Sequence, residues 1–99
     1  MFLIREIMYC KPGKVGEMLK RSKQMAPLMK EAGFSNTRVL TDMSGEQFWT
    51  LVWEQEAPSL DKYLEMSKNA MSDPRLQKIM EGYHDVVVSG KREIFKVEQ

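Results

Sequence analysis

The apolar and polar positions of the chain follow two periods in turn, one typical of strands and one typical of helices. The segment from Phe2 to Tyr9 is rich in aromatic, β-branched and other large apolar residues, and Lys11-Pro12-Gly13 ends it with a turn signal. From Lys14 onward, apolar residues recur every three or four positions, which predicts an amphipathic helix. We expect this helix to end at Gly33, because glycine readily adopts the left-handed conformation past a helix end.

The remaining extended segments have the period of strands. Phe34 to Met43 and Gln47 to Gln55 alternate, and the short loop Ser44-Gly45-Glu46 between them suits an antiparallel hairpin. A last strand is predicted from Lys91 to Val97, after a turn at Ser89-Gly90. The pattern therefore predicts four strands.

A second, broken helix is predicted between the third and fourth strands. Ser59 is a candidate cap at its start, and Ser72-Asp73-Pro74 interrupts it and begins a new helical segment. The new segment is predicted to bury one stripe of residues: Leu76, Ile79, Met80, Tyr83 and Val87.

This order of elements predicts one α+β domain over residues 1–99, with the ferredoxin-like βαββαβ fold and two helices on one face of a four-stranded antiparallel sheet. Large apolar residues occupy both faces of the predicted third strand, with Trp49 and Trp53 on one side and Phe48 and Val52 on the other. We therefore expect a second copy to cover the free face, giving a homodimeric α/β barrel. Alternation alone does not decide which face lines the barrel.

Composition and charge limit the kinds of binding partner that we expect. The 15 lysines and arginines nearly balance the 14 aspartates and glutamates and are interleaved with them, so we expect neither nucleic acid nor a membrane surface as partner. The single cysteine, Cys10, has no internal disulfide partner, and Arg5 and Glu6 interrupt the first apolar run, so we expect a cytoplasmic location without a signal peptide. Paired cysteines, paired histidines and a glycine-rich phosphate loop are absent from the sequence, so neither a metal nor a cofactor is expected.

Several short segments carry a family resemblance: Tyr9-Cys10-Lys11-Pro12-Gly13-Lys14, the helix around Pro27, Trp53-Glu54, Ser72-Asp73-Pro74-Arg75-Leu76-Gln77, and Ser89-Gly90-Lys91-Arg92-Glu93-Ile94. Together they resemble the NIPSNAP-type members of the dimeric α/β-barrel superfamily. The sequence departs from that pattern at Leu76, where the family often carries tryptophan. The resemblance implies the fold and the dimer. The superfamily includes cofactor-independent monooxygenases, haem-degrading proteins, isomerising enzymes and many members of unknown role, so the fold does not select a function.

Five residues are candidates for a site. His84 and Tyr9 are the candidate catalytic groups, because an imidazole titrates near neutrality and a phenol can donate or accept a proton. Trp49, Trp53 and Arg38 are candidate ligand-binding residues, through stacking and guanidinium contacts. Each also has a structural interpretation, as a solvated histidine, a core or interface aromatic, or a solvated strand residue.

Two functional hypotheses follow. In the first, the protein is a non-catalytic homodimeric domain whose barrel binds a small hydrophobic molecule. In the second, it is a cofactor-independent monooxygenase or isomerase acting on an aromatic or polyketide-like substrate, with His84 or Tyr9 handling the proton. The second hypothesis requires the candidate side chains to converge on one cavity.

Overall fold

The computed structural model describes residues 1–99 and has the predicted ferredoxin-like βαββαβ order. The elements are β1 (Phe2–Cys10), α1 (Val15–Ala32), β2 (Ser35–Thr41), β3 (Thr50–Ala57), α2 (Leu60–Met71), α3 (Pro74–Ile79), a 3-10 helix (Tyr83–Asp85) and β4 (Val87–Lys96). The strands form one sheet in the order β2-β3-β1-β4, with antiparallel neighbours throughout. The helices lie on one face of the sheet, which confirms the predicted fold class.

The helix ends form where the sequence places caps. The Ser59 hydroxyl accepts a hydrogen bond from the Lys62 amide at 3.1 Å, and the Asp73 carboxylate accepts one from the Arg75 amide at 2.8 Å. Pro74 then occupies the first turn of α3, where its missing amide hydrogen costs nothing. At the end of α1, Gly33 has a φ of 113° and donates its amide to the Lys30 carbonyl.

The main core lies between the helices and the helix-facing side of the sheet. Ile4 and Trp53 contribute from β1 and β3, and Met29, Tyr63 and Leu76 pack against them from the helices. Leu76 is 1% exposed and occupies the core position where the sequence departs from the NIPSNAP pattern. None of the helices has both the length and the apolar character that a membrane span requires.

The opposite face of the sheet, here called the open face, has no helix over it. Its centre is a row of four charged residues at paired positions of the four strands, in the order Arg38, Glu54, Arg5 and Glu93. Glu54 is only 4% exposed and accepts hydrogen bonds from Arg5 at 2.8 Å and from Arg38 at 2.6 Å. Apolar residues surround the row: Leu3, Ile7, Leu40, Val52 and Phe95.

The predicted start of β3 was wrong. Trp49 does not alternate with Trp53 on one strand, because its backbone has a φ of 60° and the strand begins only at Thr50. The chain before it is held by a hydrogen bond of 2.8 Å from the Thr50 amide to the Asp42 carboxylate. Trp49 is therefore 43% exposed and Phe48 84% exposed, in the loop between β2 and β3.

The predicted turn at Ser89-Gly90 was also wrong, since both residues lie within β4. Gly90 pairs with Met8 of β1, and a Cβ atom there would lie 2.9 Å from the Ile7 carbonyl oxygen. The glycine thus permits a close approach of two strands instead of a change of direction. Val87 likewise begins β4 and does not continue the predicted helical stripe.

Candidate functional site

A cavity of about 660 Å³ separates part of the helical layer from the sheet. Its walls come from β1, β3, β4, α1, α2 and the segment around the 3-10 helix, and 13 of its 22 lining residues are hydrophobic. Six of these residues are methionines: Met8, Met18, Met25, Met29, Met71 and Met80. Methionine is flexible and polarizable, so this wall can adapt to the shape of a bound molecule.

Aromatic side chains form a second part of the cavity wall. Trp53 lies at the sheet side and is 3% exposed, while Tyr63 belongs to α2 and is also buried. Tyr83 and His84 lie in the 3-10 helix, with ring centroids 4.1 Å apart. Sulfur and aromatic groups together make a wall suited to a planar apolar molecule.

One buried polar atom in the wall has no partner. Gln55 belongs to the helix-facing side of β3, two residues after Trp53, and is 3% exposed. Its Oε1 atom accepts no hydrogen bond within the protein. Buried polar atoms are nearly always hydrogen-bonded, so an unpaired one in a cavity wall indicates a place for a polar group from outside the chain.

The charged groups of the cavity are already paired. Glu6 and Arg92 occupy paired positions of β1 and β4, and their side chains are 2.5 Å apart. The hydrogen bond to Glu6 raises the pKa of Arg92, whose guanidinium carbon also lies 6.0 Å from the Tyr63 ring centroid. The side chain of Lys91 lies on the open-face side of β4, where it pairs with Glu46 at 3.8 Å and where the neighbouring Tyr9 raises its pKa.

Comparison with solved structures reveals close relatives of this fold. A NIPSNAP family protein with unknown function from Agrobacterium tumefaciens has a TM-score of 0.84 and 21% identity, over 98% of this chain and 87% of that one. A NIPSNAP domain protein from Burkholderia xenovorans has a TM-score of 0.81 and 15% identity, over 98% and 94% of the two chains. The chain has the fold of NIPSNAP family proteins.

A second group of structures shares the NIPSNAP-like fold. An antibiotic biosynthesis monooxygenase has a TM-score of 0.74 and 9% identity, with all of both chains covered. No protein-family model matches the sequence, and no curated protein matches it significantly. The structural comparisons thus confirm the expected superfamily fold, and at these identities they establish the fold alone.

The NIPSNAP-like fold divides the five predicted site residues among three places. Trp53 and His84 both line the cavity. Tyr9 and Arg38 belong to the open face, where Tyr9 pairs with Thr50 and Arg38 binds Glu54. Trp49 lies in the exposed loop before β3. The candidate catalytic pair of His84 and Tyr9 is therefore split between the two sides of the sheet.

Sequence reasoning missed the polar residues of the cavity. Gln55 and Glu6 occupy helix-facing positions of β3 and β1, next to Trp53, where the strand pattern calls for apolar side chains. The sequence signal that could have revealed these residues is a polar side chain at a strand position that faces the core. This signal was overlooked because Gln55 was predicted to be the last residue of β3, whereas the strand continues to Ala57.

Proposed function

We propose that the protein binds a small, largely apolar molecule in the cavity between its helices and its sheet. The observation that carries this proposal is a cavity of about 660 Å³ in which 13 of the 22 lining residues are hydrophobic, six of them methionines. Pockets for small molecules commonly have volumes of about 300 to 1,000 Å³ and apolar walls with few polar groups. The cavity opens to solvent at the exposed residues Leu64, Met71 and Val88, so a ligand can enter it.

The methionines provide the test. In protein labelled with ¹³C at the methionine methyl groups, titration with 2-methylnaphthalene should shift the resonances of the six cavity methionines. Met43, which is 100% exposed in the loop before β3, is the internal control. Shifts confined to Met43, or none, would contradict the proposal.

A cavity-filling variant sharpens this test. Met25 is half-buried in the wall, so Met25→Trp should abolish binding of 2-methylnaphthalene by occupying its space. The matched control is Met43→Trp, which adds the same side chain far from any packed wall and should leave the dissociation constant unchanged. Circular dichroism of both variants checks that the fold is retained.

We further propose that the protein is a homodimer formed through the open face. Apolar residues of this face are incompletely covered, including Leu40 at 39% and Phe95 at 46% exposure. The charged row Arg38, Glu54, Arg5 and Glu93 alternates in sign, so the same row from a second copy, read in reverse order, opposes every charge with its opposite. This self-complementarity is what a two-fold interface requires.

Native mass spectrometry and light scattering test the dimer. Val52→Glu places an unpaired charge at the centre of the open face and should give a monomer. Leu60→Glu, at an exposed position of α2 on the other side of the molecule, should remain dimeric. A wild-type protein that is monomeric at tens of micromolar would overturn this part of the proposal.

A cofactor-independent monooxygenase or isomerase is the second candidate function. His84 lines the cavity beside Tyr83, and an antibiotic biosynthesis monooxygenase shares the fold. An imidazole at the cavity can move a proton from a bound phenol. For the oxygenase, His84→Ala should abolish oxygen uptake with 1-naphthol without lowering the melting temperature. No uptake by the wild type would leave binding as the function supported by the cavity.

A further inference from the structure

We propose that the ligand of the cavity is a neutral molecule with a hydroxyl group, and that Gln55 binds this group. The inference rests on the proposed binding function and specifies the chemistry of the molecule bound. Gln55 is the point of the wall at which an otherwise apolar ligand would be held in one orientation.

The first reason for this proposal is the position of Gln55 within β3. Its strand partner is Ile4 of β1, which is fully buried, and the next helix-facing residues of β3 are Trp53 and Ala57, at 3% and 0% exposure. These three neighbours on the helix-facing side of the sheet are all core residues. A leucine or methionine would fill the position without a polar atom, so the amide is costly to the unliganded fold.

The second reason is that the amide oxygen of Gln55 has no hydrogen-bond partner. Gln55 Oε1 is buried and accepts no hydrogen bond, and it is the one fully buried side-chain polar atom without a partner. The buried Ser22 hydroxyl, also in the cavity wall, donates to the Met18 carbonyl at 3.0 Å. Rotation about the last torsion of glutamine is soft, so the amide can turn its oxygen toward the cavity. A ligand hydroxyl would then supply the donor that the protein does not.

The third reason is the pairing of the charged side chains Glu6 and Arg92. Glu6 and Arg92 form a salt bridge at 2.5 Å, so neither of them is free to neutralise a charged ligand. A carboxylate or ammonium ligand would lose hydration in this mainly hydrophobic cavity without gaining an unpaired countercharge from Glu6 or Arg92, which is unfavourable. A neutral hydroxyl group satisfies Gln55 at much lower cost.

The experiment compares two probes of nearly equal size, 2-naphthol and 2-methylnaphthalene, by the same methionine NMR titration in wild type and in Gln55→Leu. The leucine variant should bind 2-naphthol about tenfold more weakly, the effect of about one hydrogen bond. Its affinity for 2-methylnaphthalene should be unchanged or higher. Gln47→Leu, at an exposed position of the loop before β3, is the matched control and should alter neither affinity.

Each outcome has a distinct meaning. If Gln55→Leu weakens both probes equally, or neither, the proposed hydroxyl contact is wrong, although binding of apolar molecules in the cavity still stands. If the wild type binds 2-naphthoate more tightly than 2-naphthol, the ligand class is anionic and the inference is overturned. If no probe shifts the cavity methionines, the binding function itself fails and this inference fails with it.

Discussion

Glu54 shows how one residue can be buried on a sheet face that has no helix over it. Burial of its carboxyl group raises the pKa, but the hydrogen bonds and charges of Arg38 and Arg5 lower it by more, so the pKa of Glu54 lies below the usual glutamate value of 4.5. The carboxylate is the acceptor that joins three strands through cross-strand side-chain pairs.

Acid should therefore remove part of the stability of the fold. Because the folded-state pKa of Glu54 is lowered, its stabilising contribution is complete above about pH 4.5 and is lost as pH falls through the folded-state value. Urea unfolding from pH 7 to pH 3 should show a shallower loss of unfolding free energy in Glu54→Gln than in wild type. Glu98→Gln, at the exposed end of the chain, should retain the wild-type slope.

Gln55 should destabilise the empty protein. In Gln55→Leu, the unpaired amide oxygen is replaced by apolar atoms, and the cost of leaving such a group unsatisfied is about 1 to 3 kcal/mol. We expect the free energy of unfolding to rise by about 1 kcal/mol in denaturant titrations without ligand. A loss of stability of the same size would mean that Gln55 has a partner, such as an ordered water molecule.

Among the helices and strands, those with strong periodicity and clear caps were predicted well from the sequence. The C-terminal end of α1 at Gly33 and the restart at Asp73 and Pro74 were found because caps and glycine positions are local signals. The start of β3 and the turn at Ser89-Gly90 were wrong because pairing with β1 and the backbone of Trp49 are not encoded in local alternation. The cavity was missed for the same reason, since residues from several elements form it.

Gly90 gives a test of the close approach between β1 and β4. A Cβ atom at this position would meet the Ile7 carbonyl oxygen at 2.9 Å, so Gly90→Ala must push the two strands apart and should lower the melting temperature by several degrees. Gly16→Ala is the matched control, because a Cβ atom there meets nothing within 4 Å and alanine favours the helix. We expect the control to melt at or slightly above the wild-type temperature.

The sheet separates two surfaces of different composition. The helix-facing side of the sheet forms one wall of the cavity, while the open face presents the charged row and its apolar border. The sequence pattern predicted apolar groups on both faces, but it assigned the candidate residues to a single barrel. The structure instead divides them, with Trp53 and His84 on the cavity side and Tyr9 and Arg38 on the open face.

This separation predicts that ligand binding survives loss of the dimer. The cavity lies on the helix-facing side of the sheet and Val52 on the opposite face, so the monomeric Val52→Glu variant should bind 2-methylnaphthalene with the wild-type dissociation constant. The titration is read at the cavity methionine methyl groups, with circular dichroism and thermal melting to check that the monomer is folded. Binding that disappears in a folded monomer would mean that the partner subunit completes the site, and the cavity and the interface would then form one functional unit.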